Sequence, residues 1–219
     1  MNKRGFIFDL DGVIVDTARY HFLAWKRLAD SLGISFGETE NEQLKGVSRV
    51  RSLEKILDWG NVELSKDRFN ELLEIKNKDY LSYIERMDQD EILPDVPRVL
   101  SFLKQNEQPI ALGSASKNAR TILKEVDLLD VFDVVIDGTN VSKAKPDPEV
   151  FLKAAEGLGQ VPENCIVFED SVAGIRAANA GSMLSIGIGD ASVLNEASYV
   201  FKDFTEIPTE FFSKLISER

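Results

Sequence analysis

The sequence has little of several residue types, and each scarcity removes a class of protein. It contains one cysteine and one histidine in 219 residues, so no intrachain disulfide can form and no zinc site of histidine and cysteine is indicated. Lysine and arginine (26) are outnumbered by aspartate and glutamate (37), which gives a net charge of −11. That balance argues against nucleic acid or an anionic membrane surface as a partner.

Long apolar runs are also missing. No run approaches the roughly 18 residues that a membrane span needs, and no leader-like segment precedes the first predicted strand. The single cysteine, Cys165, lies in the apolar stretch "NCIVF", and we expect a reduced, cytoplasmic protein. What the chain does have is 43% hydrophobic residues, which is enough for a substantial core.

The apolar pattern changes once along the chain. After a short apolar strand at residues 5–8, residues 17–87 carry apolar side chains at helical spacing. From about residue 95, the strands "PIALGS", "DVVIDG", "CIVFED" and "SMLSIGIG" alternate with amphipathic helices, which predicts a parallel sheet covered by helices on both faces. We expect an α/β, Rossmann-like core of residues 1–16 and 89–219 and an all-α helical cap domain inserted at 17–88.

Capping residues predict where the helices begin and end. Ser65, Asp95 and Asp147 each precede an amphipathic stretch and are predicted N-caps. Gly33 and Gly60 each follow an apolar stripe and are predicted to end their helices.

Polar side chains follow four of the predicted strands. In chain order these are Asp9 and Asp11, then Ser114, then Lys145, then Glu169 and Asp170. Ligands of open α/β sheets bind at the carboxyl ends of the strands, so these side chains should meet at one edge. Carboxylates gathered there repel each other unless a cation lies among them, and their hard oxygens favour Mg²⁺.

Such a constellation suits phosphoryl transfer. Lys145 and Ser114 could hold a phosphate, and an aspartate could attack it to form an aspartyl-phosphate. The metal and the lysine would neutralise charge on the transferring group, and a neighbouring carboxylate could act as general acid and base.

The motifs "DLDGVIVDT", "GSASKN", "KPDP" and "FEDS" resemble the four motifs of the haloacid-dehalogenase-like phosphotransferases, in the same order and spacing. The place of the helical insertion resembles their helical-cap subclass. The resemblance implies that Asp9 is the nucleophile and a Mg²⁺ ligand, and that Asp11 is the acid and base and gives its backbone carbonyl to the metal. It also implies that Glu169 and Asp170 complete the metal site, while Ser114 and Lys145 hold the transferring phosphoryl group.

Within that family, "NEQLKGVSR", "HFLAWK" and "SASKN" resemble the segments of sugar-phosphate mutases. This implies that Arg49 binds a distal phosphate together with Ser116, Lys117 and Asn118, and that the backbone around Gly46 and Val47 contacts the sugar. His21 and Lys76 are further candidates to line the site, although each could equally be an ordinary helix residue. Without its motif, Arg49 would be taken for a solvated surface residue.

The resemblance implies a monomeric enzyme whose partner is a small-molecule sugar phosphate. The expected reaction interconverts β-glucose 1-phosphate and glucose 6-phosphate through the 1,6-bisphosphate. The alternative is a Mg²⁺-dependent sugar-phosphate phosphatase of the same fold, which would share the nucleophile, the acid and base and the metal ligands. A non-catalytic sugar-phosphate sensor is a third hypothesis, but a pure binder has no need of Asp9.

Overall fold

The computed structural model describes residues 3–44 and 47–217. Within them, six parallel strands form one sheet with the spatial order β3-β2-β1-β4-β5-β6. The strands are β1 (Gly5–Phe8), β2 (Ile110–Gly113), β3 (Val134–Ile136), β4 (Cys165–Glu169), β5 (Leu184–Ile188) and β6 (Tyr199–Phe201). The predicted parallel α/β, Rossmann-like core is therefore confirmed. The short and half-exposed β6 was not predicted, since three residues carry too little apolar pattern.

The strand order reverses beside β1. The chain first builds outward from β1 to β2 and β3, and then returns to place β4 on the other side of β1. Phe8 is in register with Leu112 on one side and with Phe168 on the other. A reversal of this kind leaves a crevice at the carboxyl ends of the two central strands, where ligands of such sheets bind.

Both faces of the sheet are buried, which explains why its strands are apolar throughout rather than alternating. Phe6 and Phe8 face one side, where Phe8 stacks on Phe168 with ring centroids 4.7 Å apart. Ile7 faces the other side and packs in a cluster with Phe151. The layer on these faces consists of α5 (Val96–Gln105), α6 (Ala119–Glu125), α7 (Glu149–Gly157), α8 (Val172–Ala180) and α9 (Thr209–Ser217).

Four helices lie between β1 and α5 in the chain. They are α1 (Ala18–Ser31), α2 (Glu38–Glu42), α3 (Arg49–Gly60) and α4 (Lys66–Ile84). They have an apolar cluster of their own, which includes Trp25, Leu28, Leu53, Ile56 and Leu72. A separate core is what an inserted helical cap requires, and the predicted architecture is confirmed. The boundaries 17–88 remain a prediction. In the described part of the chain, no helix combines the length and apolarity of a membrane span.

Two of the predicted helix ends are confirmed. The Ser65 hydroxyl accepts a hydrogen bond from the Arg68 backbone N–H at 3.3 Å, as an N-cap does. Gly33 follows the end of α1 with φ of +71°, in the left-handed region that favours glycine.

The other three predicted ends agree in part. Helix α3 ends at Gly60 as predicted, although Asn61 rather than a glycine takes the left-handed conformation, with φ of 50°. Asp95 directly precedes α5, but its carboxylate accepts from Arg98 Nε at 3.0 Å rather than from a backbone N–H of the first turn. Pro148 occupies the N-cap position of α7, yet Asp147 Oδ1 accepts from the Glu149 backbone N–H at 3.1 Å and so caps the start of this helix as predicted.

Candidate active site

The site begins where β1 ends. The Asp9 backbone N–H donates to the Phe168 carbonyl at 3.0 Å, so the pairing of β1 with β4 brings Asp9 level with the end of β4. Gly12 then turns the chain with φ of +78°, and a Cβ at that position would overlap the Asp170 carboxylate. Glycine is required here both for the backbone conformation and for the close approach of the two loops.

Three carboxylates from these two strand ends meet. Asp9, Glu169 and Asp170 each offer an oxygen, and the three oxygens lie within 4.8 Å of one another. A set of hard carboxylate oxygens at this spacing fits a divalent cation, so the cluster could bind a metal ion. The side chain of Asp11 is not part of this cluster, in keeping with its predicted contribution through a backbone carbonyl.

Lys145 lies among the carboxylates. Its Nζ donates to Asp9 Oδ1 at 2.6 Å and to Glu169 Oε1 at 2.5 Å, and only 2% of its side chain is exposed. Burial lowers the pKa of this ammonium, but Asp9 and Glu169 raise it by more, so the net shift is upward. Lys145 therefore stays charged at neutral pH and places a positive charge between Asp9 and Glu169.

Burial also changes Asp9. It raises the pKa of this carboxyl to about 7, with Glu169 and Asp11 adding to the rise and Lys145 opposing it. The rise comes mainly from burial, and a bound cation would lower the pKa of Asp9 again.

The other carboxylates are positioned differently. Glu169 is 1% exposed, and its Oε2 accepts from the Ser171 backbone N–H at 2.8 Å and from the Ser171 hydroxyl at 2.9 Å. A Cβ at Gly174 would overlap this carboxylate, so α8 can begin against it only with glycine there. Asp170 instead borders the open cavity described below.

Asp11 points toward the helical insertion. Its carboxylate accepts from the Thr17 hydroxyl, and it lies 4.0 Å from His21 Nε2. Burial raises its pKa to about 6, with Lys76 pulling in the opposite direction. A carboxyl with a pKa near neutrality is suited to exchange protons with a substrate hydroxyl. Thr17 was not predicted as a site residue, although it ends the motif "DLDGVIVDT".

Lys76 and His21 lie together on the cap side. Lys76 Nζ is 2.8 Å from His21 Nδ1, and it lies over the rings of Trp25 (4.8 Å) and Tyr80 (4.5 Å). Burial lowers the pKa of Lys76 to about 7 and that of His21 well below its usual value. Lys76 and His21 are thus in direct contact, and His21 is held beside Asp11.

The loop after β2 is held by hydrogen bonds between its own residues. Ser114 Oγ accepts from the Ser116 backbone N–H at 3.0 Å, and Ser116 Oγ accepts from the Asn118 backbone N–H at 3.2 Å. The Ser116 carbonyl in turn accepts from the Gly138 backbone N–H at 3.1 Å, where a Cβ would overlap the Ala115 carbonyl. The loop thus holds a fixed set of donors at the cavity wall.

Arg49 approaches from the cap. It is the first residue of α3, directly after the N-cap Ser48. It is half-buried, and burial lowers the pKa of its guanidinium. A partly desolvated guanidinium is a strong anion-binding group because its donors match phosphate oxygens bidentately.

One cavity of about 430 Å³ joins these features. Among the described residues, every predicted site residue except Glu169 lines it; the core contributes Asp9, Asp11, Ser114, Ser116, Lys117, Asn118, Lys145 and Asp170, and the cap contributes His21, Val47, Arg49 and Lys76. Glu169 lies behind Lys145, and Gly46 lies outside the described residues. The roles of all these residues remain predictions.

The cavity also has walls that the sequence analysis did not predict. The cap side includes the apolar side chains of Trp25, Leu44 and Leu73, together with the buried Ser52. These apolar residues have the spacing of an ordinary helix core, and nothing in the sequence distinguishes the ones that face the cavity. A cavity lined by both apolar and polar side chains fits a small-molecule ligand.

Comparison with known proteins places this geometry in a family. The model of the haloacid dehalogenase-like hydrolases matches residues 3–181. A Bacillus subtilis protein named beta-phosphoglucomutase is 40% identical over 209 residues, which are 94% of this chain and 92% of the relative. A crystal structure of beta-phosphoglucomutase from Clostridium difficile superposes with a TM-score of 0.94 at 40% identity and covers 98% of this chain and 97% of its own.

A phosphatase is related at a lower level. The phosphorylated carbohydrates phosphatase of Thermotoga maritima is 31% identical over 201 residues, which cover 89% of this chain and 91% of the relative. The chain is thus similar both to a protein named as a mutase and to one named as a phosphatase, and the family resemblance carried by the four motifs is confirmed. The chain is an enzyme that belongs to the haloacid dehalogenase-like hydrolase family.

Proposed function

We propose that this enzyme is a phosphomutase that interconverts β-D-glucose 1-phosphate and D-glucose 6-phosphate through β-glucose 1,6-bisphosphate. The observation that carries the proposal is the shared cavity. It is lined by Asp9 and Lys145, where we place phosphoryl transfer, and by residues of the cap and of the loop after β2 that we propose as a second set of anion-binding groups. A phosphatase needs the first, whereas a mutase also needs the second, because its bisphosphate intermediate must be gripped at both ends. The 40% identity to a protein named beta-phosphoglucomutase supports the same conclusion.

The reaction follows from the positions of the side chains. With a phosphoryl group already on Asp9, the 6-hydroxyl of β-glucose 1-phosphate gives its proton to Asp11 and takes that group, which forms the 1,6-bisphosphate. Once the bisphosphate has reversed its orientation in the cavity, a carboxylate oxygen of Asp9 attacks the phosphorus at the 1-position. The bond from that phosphorus to the sugar oxygen breaks, Asp11 gives its proton to the departing oxygen, and glucose 6-phosphate leaves with the aspartyl-phosphate restored.

Charge must be balanced around the transferring group. Lys145 lies against Asp9 with its ammonium buried, so it can follow the negative charge as that charge moves to the phosphoryl oxygens. Ser114 borders the same end of the cavity and can donate its hydroxyl hydrogen.

We propose Mg²⁺ as the cofactor, held by Asp9, Glu169, Asp170 and the backbone carbonyl of Asp11. When bound, it would shield the attacking carboxylate from the phosphate and stabilise the charge of the transition state. The fit of the donor set rests on the three carboxylates whose oxygens lie within 4.8 Å of one another.

The distal phosphate is assigned to Arg49, Ser116, Lys117 and Asn118. Two of these are cations, so they supply local positive charge for an anionic substrate in a chain whose net charge is −11. Because Arg49 belongs to the cap, binding of the distal phosphate would draw the cap onto the core. Closure would exclude water, so that the aspartyl-phosphate waits for a sugar hydroxyl.

The test measures where the phosphoryl group goes. The protein is incubated with Mg²⁺, β-glucose 1-phosphate and a trace of glucose 1,6-bisphosphate, and both glucose 6-phosphate and free phosphate are followed. Glucose 6-phosphate should appear well ahead of free phosphate. Free phosphate as the main product would instead establish a sugar-phosphate phosphatase, the activity for which the Thermotoga relative is named.

We further propose that the enzyme acts as a cytoplasmic monomer. The single thiol supports a reduced environment, since Cys165 has no second cysteine with which to form an intrachain disulfide. Light scattering at two protein concentrations tests the monomer, because a dimer would increase in mass with concentration.

A further inference from the structure

A direct side-chain contact joins the helical insertion to the loop after β2. The Nδ2 of Asn118 donates to Oδ1 of Asn77 at 3.0 Å. Asn77 lies on α4 of the insertion, and Asn118 directly precedes α6 beside the sheet. Both side chains are half-buried. The contact therefore crosses from cap to core, and movement of the cap away from the core would break it.

Asn77 lies behind the wall of the cavity that carries the distal groups. Arg49 and Asn118 both line the cavity, and Arg49 also borders a groove on the outer side of α4 that Asn77 lines. Arg49 therefore borders both the cavity and this groove, and Asn77 reaches the cavity wall through its contact with Asn118.

The chemistry of the amide gives this contact a direction. A phosphate can only accept hydrogen bonds, so Asn118 must present its amino group to it rather than its carbonyl. The backbone N–H of Asn118 is already engaged by Ser116 Oγ. Its Nδ2 carries two hydrogens, of which Asn77 takes one, and the other remains for a phosphate oxygen. In this contact the Asn77 carbonyl accepts from the amino group of Asn118, which is the orientation of the Asn118 side chain that phosphate binding needs.

We propose that Asn77 is a positioning residue for the distal phosphate, acting through Asn118. The inference rests on the proposed function, in that it presupposes a distal phosphate. It adds that the distal site is complete only when α4 lies against the loop after β2, so that the second phosphate of a bisphosphate and cap closure favour one another.

The test compares a ligand with two phosphates to one with a single phosphate. Hydrolysis of p-nitrophenyl phosphate is inhibited with glucose 1,6-bisphosphate or with inorganic phosphate, and the two inhibition constants are measured. Asn77→Ala should raise the constant for the bisphosphate about 2- to 10-fold relative to that for inorganic phosphate, which is the range for one hydrogen bond. Ser82→Ala is the matched control, since Ser82 lines the same groove and donates within α4 to the Asp79 carbonyl; it should change neither constant.

A double-mutant cycle separates positioning from a general structural effect. In an Asn118→Ala background, Asn77→Ala should cause no further rise in the ratio of the two constants. A further rise of the same size as in the wild type would overturn the inference, and so would an equal rise for both inhibitors. Because the assay does not require mutase turnover, the inference can fail while glucose 6-phosphate is still formed, or hold while it is not.

Discussion

Lys145 and Asp9 form a buried ion pair with an Nζ to Oδ1 distance of 2.6 Å, although 136 residues separate them in the chain. The same ammonium is 2.5 Å from Glu169 Oε1. Burying charges is costly unless they are paired, and removal of one partner leaves the others uncompensated. The pair therefore links the stability of the fold to the chemistry of the site.

Replacement of Lys145 should destabilise the protein strongly. Lys145→Met leaves Asp9 and Glu169 buried without their cation, and the free energy of unfolding should fall by about 3–5 kcal/mol at neutral pH. Urea denaturation measures the loss. The control is Lys153→Met, because Lys153 pairs with Glu149 at 2.7 Å on the surface and should cost less than about 1 kcal/mol. Equal losses in the two variants would contradict the role of Lys145 as a buried counter-charge.

A divalent cation should stabilise the wild type through the carboxylate cluster. A ligand that binds only the folded state raises the midpoint temperature of unfolding, so added Mg²⁺ should raise it. Asp170→Asn removes one charged ligand and should abolish most of that rise. Asp130→Asn changes an exposed aspartate on the surface and should keep it. If Asp170→Asn responds to Mg²⁺ as fully as the control does, the cluster is not the binding site.

Loss of the nucleophile should stop both mutase and phosphatase chemistry. Asp9→Asn has nearly the shape of the wild type but cannot form an acyl-phosphate, and kcat should fall on the order of 10⁴-fold or more. Intact-protein mass spectrometry after mixing with glucose 1,6-bisphosphate should show a phosphoryl adduct on the wild type and none on the variant. An adduct on Asp9→Asn would assign the nucleophile elsewhere.

Arg49 should matter for substrates with a distal phosphate. Arg49→Ala removes charge-assisted hydrogen bonds worth about 1.5–3 kcal/mol, so kcat/KM for β-glucose 1-phosphate should fall about 10- to 100-fold. Hydrolysis of a small aryl phosphate should fall far less. Arg51→Ala provides the control on the same helix, since Arg51 is exposed and pairs with Glu54. Equal losses for both substrates in Arg49→Ala would argue against the distal-phosphate assignment.

Lys76 should make stability depend on pH. Its pKa falls from 10.5 to about 7 on folding because burial disfavours the ammonium. Above pH 7 the unfolded chain still binds this proton while the folded chain has released it, so stability rises with pH until the pKa of the unfolded chain is reached. Between pH 7 and 9 the wild type should gain about 2–3 kcal/mol relative to Lys76→Met.

Urea denaturation at the two pH values measures this difference. Lys78→Met, which removes an exposed lysine from the same helix, should behave as the wild type does. A parallel pH dependence in the wild type and in Lys76→Met would show that Lys76 keeps its proton when folded. Lys76→Met should also shift the acidic limb of the pH profile of kcat to higher pH, because the charge of Lys76 lowers the pKa of Asp11.

Local sequence determines much of this enzyme. Residues 5–8 are apolar throughout because both faces of their strand are buried. Asp9 and Asp11 lie at the end of this strand because they follow it directly in the chain. The helical periodicity of residues 17–87 and the strand and helix alternation after them likewise depend on neighbours in the chain. From these patterns the fold class and the polar residues at the strand ends could be predicted, whereas Arg49 and the other distal groups were predicted from the resemblance of their motifs to a known family.

Only the tertiary structure decided which of these residues touch. The placement of β4 beside β1 brings Glu169 behind Lys145 and leaves Asp170 at the cavity, although the two acids are adjacent in sequence. The contact of Asn77 with Asn118 and the apolar cap wall around Trp25 likewise left no sequence signal. The predicted capping bond of Asp95 is also absent, since its carboxylate binds Arg98 instead. Periodicity and strand ends are properties of adjacent residues, whereas partners and burial depend on segments that come together only when the whole chain packs.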